Sequence, residues 1–178
     1  MKALLFLVLL CVATTLAQTK QPKTLRDFFN LLPQEYLPIE GCRGKSERDC
    51  EKARKEYLEN YLVVEDKSNG YMKGGCDGAQ SCFVMALFKR PTGSYIVGLN
   101  VWDAFSEKTY FLEYSNNTWK DIGKEIVPDY DIKRRSYELP RYGTTIHVYD
   151  LERDELGSRR GKRLYKLIWK SGKFVLRR

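Results

Sequence analysis

Residues 83–122 constrain this chain more than any other stretch: FVMALFKRPTGSYIVGLNVWDAFSEKTYFLEYSNNTWKDI. Two apolar runs flank the turn Lys89-Arg90-Pro91-Thr92-Gly93-Ser94, and two more flank Ser115-Asn116-Asn117-Thr118. Aromatic and β-branched runs broken by Pro, Gly and Asn predict a pair of β-hairpins. A hairpin has an apolar face that something else must bury, so the rest of the chain is read as extension and cover.

An internal echo extends the pattern. Tyr110, Leu112, Tyr114 and Trp119 have the same relative spacing as Tyr165, Leu167, Trp169 and Phe174, and each set straddles a polar turn. Alternate residues of a strand share a face, so each hairpin carries one aromatic and leucine face. Repetition of such hairpins predicts an antiparallel meander of about six to seven strands. Further strands are expected at Leu62-Val63-Val64, before an Asn69-Gly70 turn, at residues 144–149 and at Phe174-Val175-Leu176. The connection between Asp150 and Arg163, 14 residues long, reads as a long loop, either a site or a mobile segment.

The cover is expected from two N-terminal helices. Thr24 and Asp27 have capping-box-like spacing ahead of a stripe of Leu25, Phe28, Phe29 and Leu32, which Pro33 stops. Ser46 opens a second helix with Cys50, Ala53, Tyr57 and Tyr61 on one face and Lys52, Lys55, Glu56 and Glu59 opposite. The fold class is therefore α+β: two N-terminal helices packed on a meander of repeated hairpins, stabilised by disulfides.

The first 17 residues read as a signal peptide. Met1-Lys2 is a positive start, residues 3–13 are apolar, and Thr15-Leu16-Ala17 places small residues where a signal peptidase reads, which puts cleavage after Ala17. Residues 18–178 then form one domain, secreted or periplasmic, without a transmembrane segment. Export leaves Cys42, Cys50, Cys76 and Cys82, an even number that reads as two disulfides in an oxidising compartment. The sequence-local pairing, Cys42–Cys50 with Cys76–Cys82, is expected, with crossed pairing as the alternative. Their spacing fits no common zinc pattern, so no metal is expected.

Net charge is +8 and one-sided: residues 133–178 hold 14 basic and 5 acidic residues, the rest 17 and 18. A one-sided basic field favours polyanions, anionic surfaces or an acidic protein, or serves solubility alone. It centres on Arg159, Arg160, Lys162 and Arg163, with Lys166 and Lys170 on the adjoining hairpin and Tyr165, Trp169 and Phe174 interleaved. Guanidinium groups bind phosphate and carboxylate bidentately, and aromatic rings add stacking. These six basic residues are the expected ligand-binding set. Strand alternation supplies the competing reading, in which the aromatics are core and the lysines solvated.

Catalytic chemistry finds little support. The one histidine, His147, lies on a strand face opposite Ile146 and Val148. No Gly-x-Ser-x-Gly elbow occurs, and Gly74-Gly75-Cys76-Asp77-Gly78-Ala79 lacks the Lys-Ser/Thr of a phosphate loop. Asp150, Glu152 and Asp154 alternate like the start of a calcium loop but lack its glycine and closing glutamate. No catalytic residue, metal or cofactor is assigned. The chain reads as an exported binding protein for an acidic protein or extracellular polyanion rather than nucleic acid. Two alternatives stand beside it: a hydrolase of an envelope polymer using carboxylates that the fold brings together, and a structural envelope component.

Overall fold

The computed structural model describes residues 21–76, 81–155 and 157–177. The expected signal peptide and residues Asp77, Gly78 and Ala79 of the glycine-rich loop lie outside them. Among the described residues ten strands form two antiparallel sheets rather than one meander. The first has six strands in sequence order: β1 (Leu62–Asp66), β2 (Tyr71–Gly74), β3 (Cys82–Lys89), β4 (Tyr95–Trp102), β5 (Glu107–Ser115) and β6 (Thr118–Asp121). The second has four: β7 (Arg135–Glu138), β8 (Thr145–Asp154), β9 (Gly157–Lys170) and β10 (Lys173–Arg177), each paired with the next. Helices α1 (Leu25–Leu31) and α2 (Glu47–Tyr61) precede the strands, and a short third helix, α3 (Gly123–Ile126), lies between the two sheets in sequence.

Strand alternation divides the core in two. Met85, Val97, Leu99 and Leu112 face α1 and α2, burying Phe28, Phe29, Tyr57 and Leu58. On the opposite face Phe88, Ile96 and Phe111 meet Tyr137, Ile146, Val148, Leu167 and Phe174 of the second sheet. The molecule is thus layered, helices on sheet on sheet. The central strand β4 is covered on both sides, and for that reason its sequence is a nearly unbroken apolar run. Gly98 permits the close approach of the sheets: a Cβ there would lie 2.9 Å from Leu139 Cδ2.

The repeated hairpins explain why a single covered face was the wrong expectation. Tyr114 pairs directly with Trp119 and Trp169 with Phe174, so the two copies share one register. The first copy packs beneath the helices, the second against the back of the first sheet. Local patterning specifies a hairpin but not which sheet it joins.

Helix α1 carries the capping box read from its sequence: Thr24 accepts from Asp27 N and Asp27 accepts from Thr24 N. Its other end is closed by a residue the periodicity hid. Arg54 is buried on α2, and its guanidinium donates at 2.8 Å to the carbonyls of Asn30 and of Leu32. A cation at the carbonyl end satisfies orphan acceptors and complements the helix dipole. Disulfides join Cys42 to Cys50 and Cys76 to Cys82, tying the segment before α2 to its first turn and β3 to the loop before it. Among the described residues no helix is long and apolar enough to cross a membrane.

The stretch between Asp150 and Arg163 is not a loop. Strand β8 runs on to Asp154 and β9 begins at Gly157, so it forms the far half of one long hairpin, with Glu152 opposite Arg159 and Leu151 opposite Arg160. Its residues are charged on both faces because the hairpin projects beyond the core, which removes the alternation that marks a half-buried strand.

Candidate functional site

The six basic residues expected to act together are divided by the sheet. Arg159 is paired with Glu152 at 3.0 Å and with Asp154 at 3.9 Å. Arg160 turns into a cleft between the two sheets. Lys162, Arg163, Lys166 and Lys170 remain exposed, and no carboxylate among the described residues lies within ion-pair distance of them. The calcium-like acids are committed elsewhere, Asp150 to Arg135 and the other two to Arg159.

Register builds the cationic surface. Across β9 and β10, Lys166 stands opposite Arg177, Ile168 opposite Val175 and Lys170 opposite Lys173. These three pairs share the outer face, since the intervening Leu167 and Phe174 are buried inside. On β8, His147 is opposite Lys166 and Tyr149 opposite Arg163, on the same side. The result is the row His147, Lys166, Arg177, bordered by Arg163 and by the Lys170–Lys173 pair. A shallow hollow of about 490 Å³ lies here, lined by Thr145, Arg163, Lys166, Ile168 and Arg177 among others. The one carboxylate in the row is Glu138, opposite His147, and it already serves His147 Nδ1 at 3.2 Å, the Tyr149 hydroxyl at 3.0 Å and Arg160 at 3.5 Å.

The interleaved aromatics are directed mainly into the core. Trp169 packs on Phe88 and Phe174 and donates its indole N–H to the Lys89 carbonyl at 2.8 Å. Tyr165 packs against the inter-sheet core, where burial raises its pKa. Trp169 is therefore committed to the core, while Tyr165, packed inward, still borders the hollow of the basic face.

The cleft was not legible as a unit. It measures about 350 Å³ and is lined by Tyr71, Lys73, Val84, Asn100, Trp102, Glu107, Glu138, Leu139 and Arg160. Glu107 and Asn100 are nearly wholly buried, 8 % and 2 % exposed. Asn100 Nδ2 donates to Glu107 Oε1 at 2.9 Å and to Thr109 Oγ1 at 2.6 Å. Ser136 Oγ also donates to Glu107 Oε1, and Arg160 Nε donates to Ser136 Oγ at 2.8 Å. The Arg160 guanidinium lies 3.5 Å from an oxygen of Glu107 and 3.5 Å from one of Glu138, with Tyr149 stacked on it at 5.6 Å. The fold thus brings two carboxylates together around one arginine. Two sequence signals were passed over, Asn100 within the apolar run of β4 and Glu107 in register with Thr109 and Phe111, polar residues at inward positions that could have located the cleft.

No protein-family model matches the chain, and neither does any curated protein or solved structure.

Proposed function

We propose that this is an exported binding protein whose outer β8–β9–β10 face takes a polyanionic or acidic ligand. The observation that carries the reading is the direct cross-strand pairing of Lys166 with Arg177 and of Lys170 with Lys173. Like charges placed opposite one another destabilise a sheet, so a surface that keeps two such pairs, with its one nearby acid, Glu138, already committed, is best explained by an anion that neutralises them. Arg163 and Arg177 supply bidentate donors, and Lys166, Lys170 and Lys173 supply point charges. The ligand-binding set is then Lys162, Arg163, Lys166, Lys170, Lys173 and Arg177, while Arg159 and Arg160, engaged by acids, leave it.

The test is salt-dependent retention on immobilised heparin, comparing the protein with a Lys166→Gln/Lys170→Gln/Arg177→Gln variant. Tight retention that falls steeply with salt, and that the variant loses, supports the reading. Equal retention of both overturns it.

The hydrolase alternative draws on the meeting of Glu107 and Glu138 in one cleft. A glycosidase pair needs open space between its carboxyl groups for the scissile bond. Here the Arg160 guanidinium contacts both, which favours a binding role for the cleft. The structural-component reading calls for a continuous apolar patch. Large exposed apolar residues such as Leu31, Val63, Phe105 and Tyr142 lie on separate segments of the chain.

A further inference from the structure

The geometry points to a second binding site, in the inter-sheet cleft, for a neutral hydroxyl-bearing ligand: a saccharide unit. Two side chains of the cleft, largely buried themselves, keep unused hydrogen-bonding capacity. Glu107 Oε1 accepts from both Asn100 and Ser136, yet Oε2 accepts no hydrogen bond from any described residue. Asn100 spends both amide hydrogens on Glu107 and Thr109, and its Oδ1 is likewise without a donor among the described residues. Both side chains line the cleft and both are more than nine-tenths buried. Neither atom is among the sealed, unpartnered polar atoms of the described residues, so both stay open to solvent in the cleft, where the donor of a ligand can replace water.

The remaining walls define the chemistry. Lys73 lines the same cleft and makes no ion pair among the described residues, so its ammonium donors are open to a ligand there. Trp102 and Tyr71 add aromatic surface, Val84 and Leu139 aliphatic surface. Formal charge balances, with Lys73 and Arg160 against Glu107 and Glu138. A cationic ligand would meet the two bases, and an anionic one the two acids. A neutral pyranose suits both: its C–H face lies on an aromatic ring while its hydroxyls donate to Glu107 and Asn100 and accept from Lys73. A volume of about 350 Å³ is at the small end of ligand pockets, the scale of one or two sugar rings. Ser136 and Arg160 are positioning residues, holding Glu107 Oε1 and so fixing the carboxylate, with Oε2 left for a ligand.

This inference is independent of the polyanion reading, because the cleft and the outer face share none of the proposed ligand contacts. The test is a titration with methyl glucoside, N-acetylglucosamine and cellobiose at millimolar concentration. The Trp102 indole N–H is followed by nitrogen–proton NMR, its signal assigned as the one lost in Trp102→Phe. Glycine ethyl ester and acetate serve as cationic and anionic controls. Saturable shifts of the Trp102 signal with at least one saccharide are expected. Lys73→Gln should weaken that saccharide's binding about tenfold or more, the loss of one hydrogen bond from a charged donor, with the shift pattern of the rest of the spectrum unchanged. The proposal is overturned if no saccharide moves the Trp102 signal, if Lys73→Gln binds as well as the parent protein, or if either charged probe binds more tightly than every saccharide. Loss of retention on heparin without loss of saccharide binding, or the reverse, separates failure of one site from failure of the other.

Discussion

Lys166 lies directly opposite Arg177 on the outer face of the β9–β10 hairpin, with His147 on its other side and no uncommitted carboxylate in the row. This placement sets binding against stability. Replacing Lys166 with Gln should raise stability by roughly 0.5 kcal/mol at low ionic strength, by removing like-charge repulsion. The gain should fade as salt screens the parent protein. Urea unfolding at low and high salt reads the effect, and the same variant should bind heparin less tightly. A variant less stable than the parent at low salt would mean that Lys166 has a structural partner.

The two sheets are held by aromatic packing centred on Phe111, which meets Phe88, Tyr130, Tyr137 and Phe174 at centroid distances of 5.2–6.4 Å. Phe111 is fully buried, so Phe111→Ala should cost about 3–5 kcal/mol. Phe105, 75 % exposed, should tolerate the same change within about 0.5 kcal/mol. Chemical denaturation of the pair tests whether the sheet–sheet core or the exposed turn sets global stability.

Gly157, at the start of β9, is the point where the β8–β9 hairpin touches the β4–β5 turn. A Cβ there would lie 2.0 Å from the Ala104 carbonyl oxygen, and φ is +133°. Gly157→Ala should therefore destabilise by more than about 1 kcal/mol and detach the hairpin tip from residues 103–106. Loss of the Ser158 Oγ to Phe105 carbonyl contact, 2.9 Å in the parent, would appear as faster amide exchange at the tip. Unchanged exchange would contradict the prediction.

Asp66 ties the β1–β2 turn of the first sheet to the segment between strands β7 and β8 of the second. Hydrogen bonds from Asn69, Arg141 and Ser68 hold its pKa down to about 2, from an ordinary 3.8. A depressed carboxylate stabilises the fold above its unfolded value and ceases to do so as pH falls through the folded one. The stability difference between the parent and Asp66→Asn should then be constant above pH 3.8, shrink below it and disappear near 2. Urea midpoints across that range check the sign. A difference that grew on acidification would refute it.

Much of the local structure could be read without coordinates. Asn69-Gly70, Ser115–Thr118 and the turn after Lys170 lie where hairpins turn, Thr24 and Ser46 cap the two long-range helices, and the near-neighbour cysteines pair. Each depends on residues within a few positions of one another, whose dihedral preferences and hydrogen bonds act at short range. The charged half of the β8–β9 hairpin was missed for the complementary reason: cross-strand ion pairs such as Glu152–Arg159 hold it, and apolar alternation does not mark them.

Assembly was decided elsewhere. One repeated hairpin pattern serves two different sheets, because either face of the first sheet can bury an aromatic and leucine face. The basic residues read as one cluster along β9 became a paired arginine, a cleft arginine and an exposed cationic face, since strand bulges near Tyr149 rotate their side chains in different directions. Glu107, Glu138, Asn100 and Arg160 come from three parts of the chain. Patterning determined that there would be hairpins, capped helices, paired cysteines and a basic C-terminal quarter. Only tertiary packing determined which charges neutralise one another and which stay open to a ligand, because that depends on distances between strands far apart in sequence.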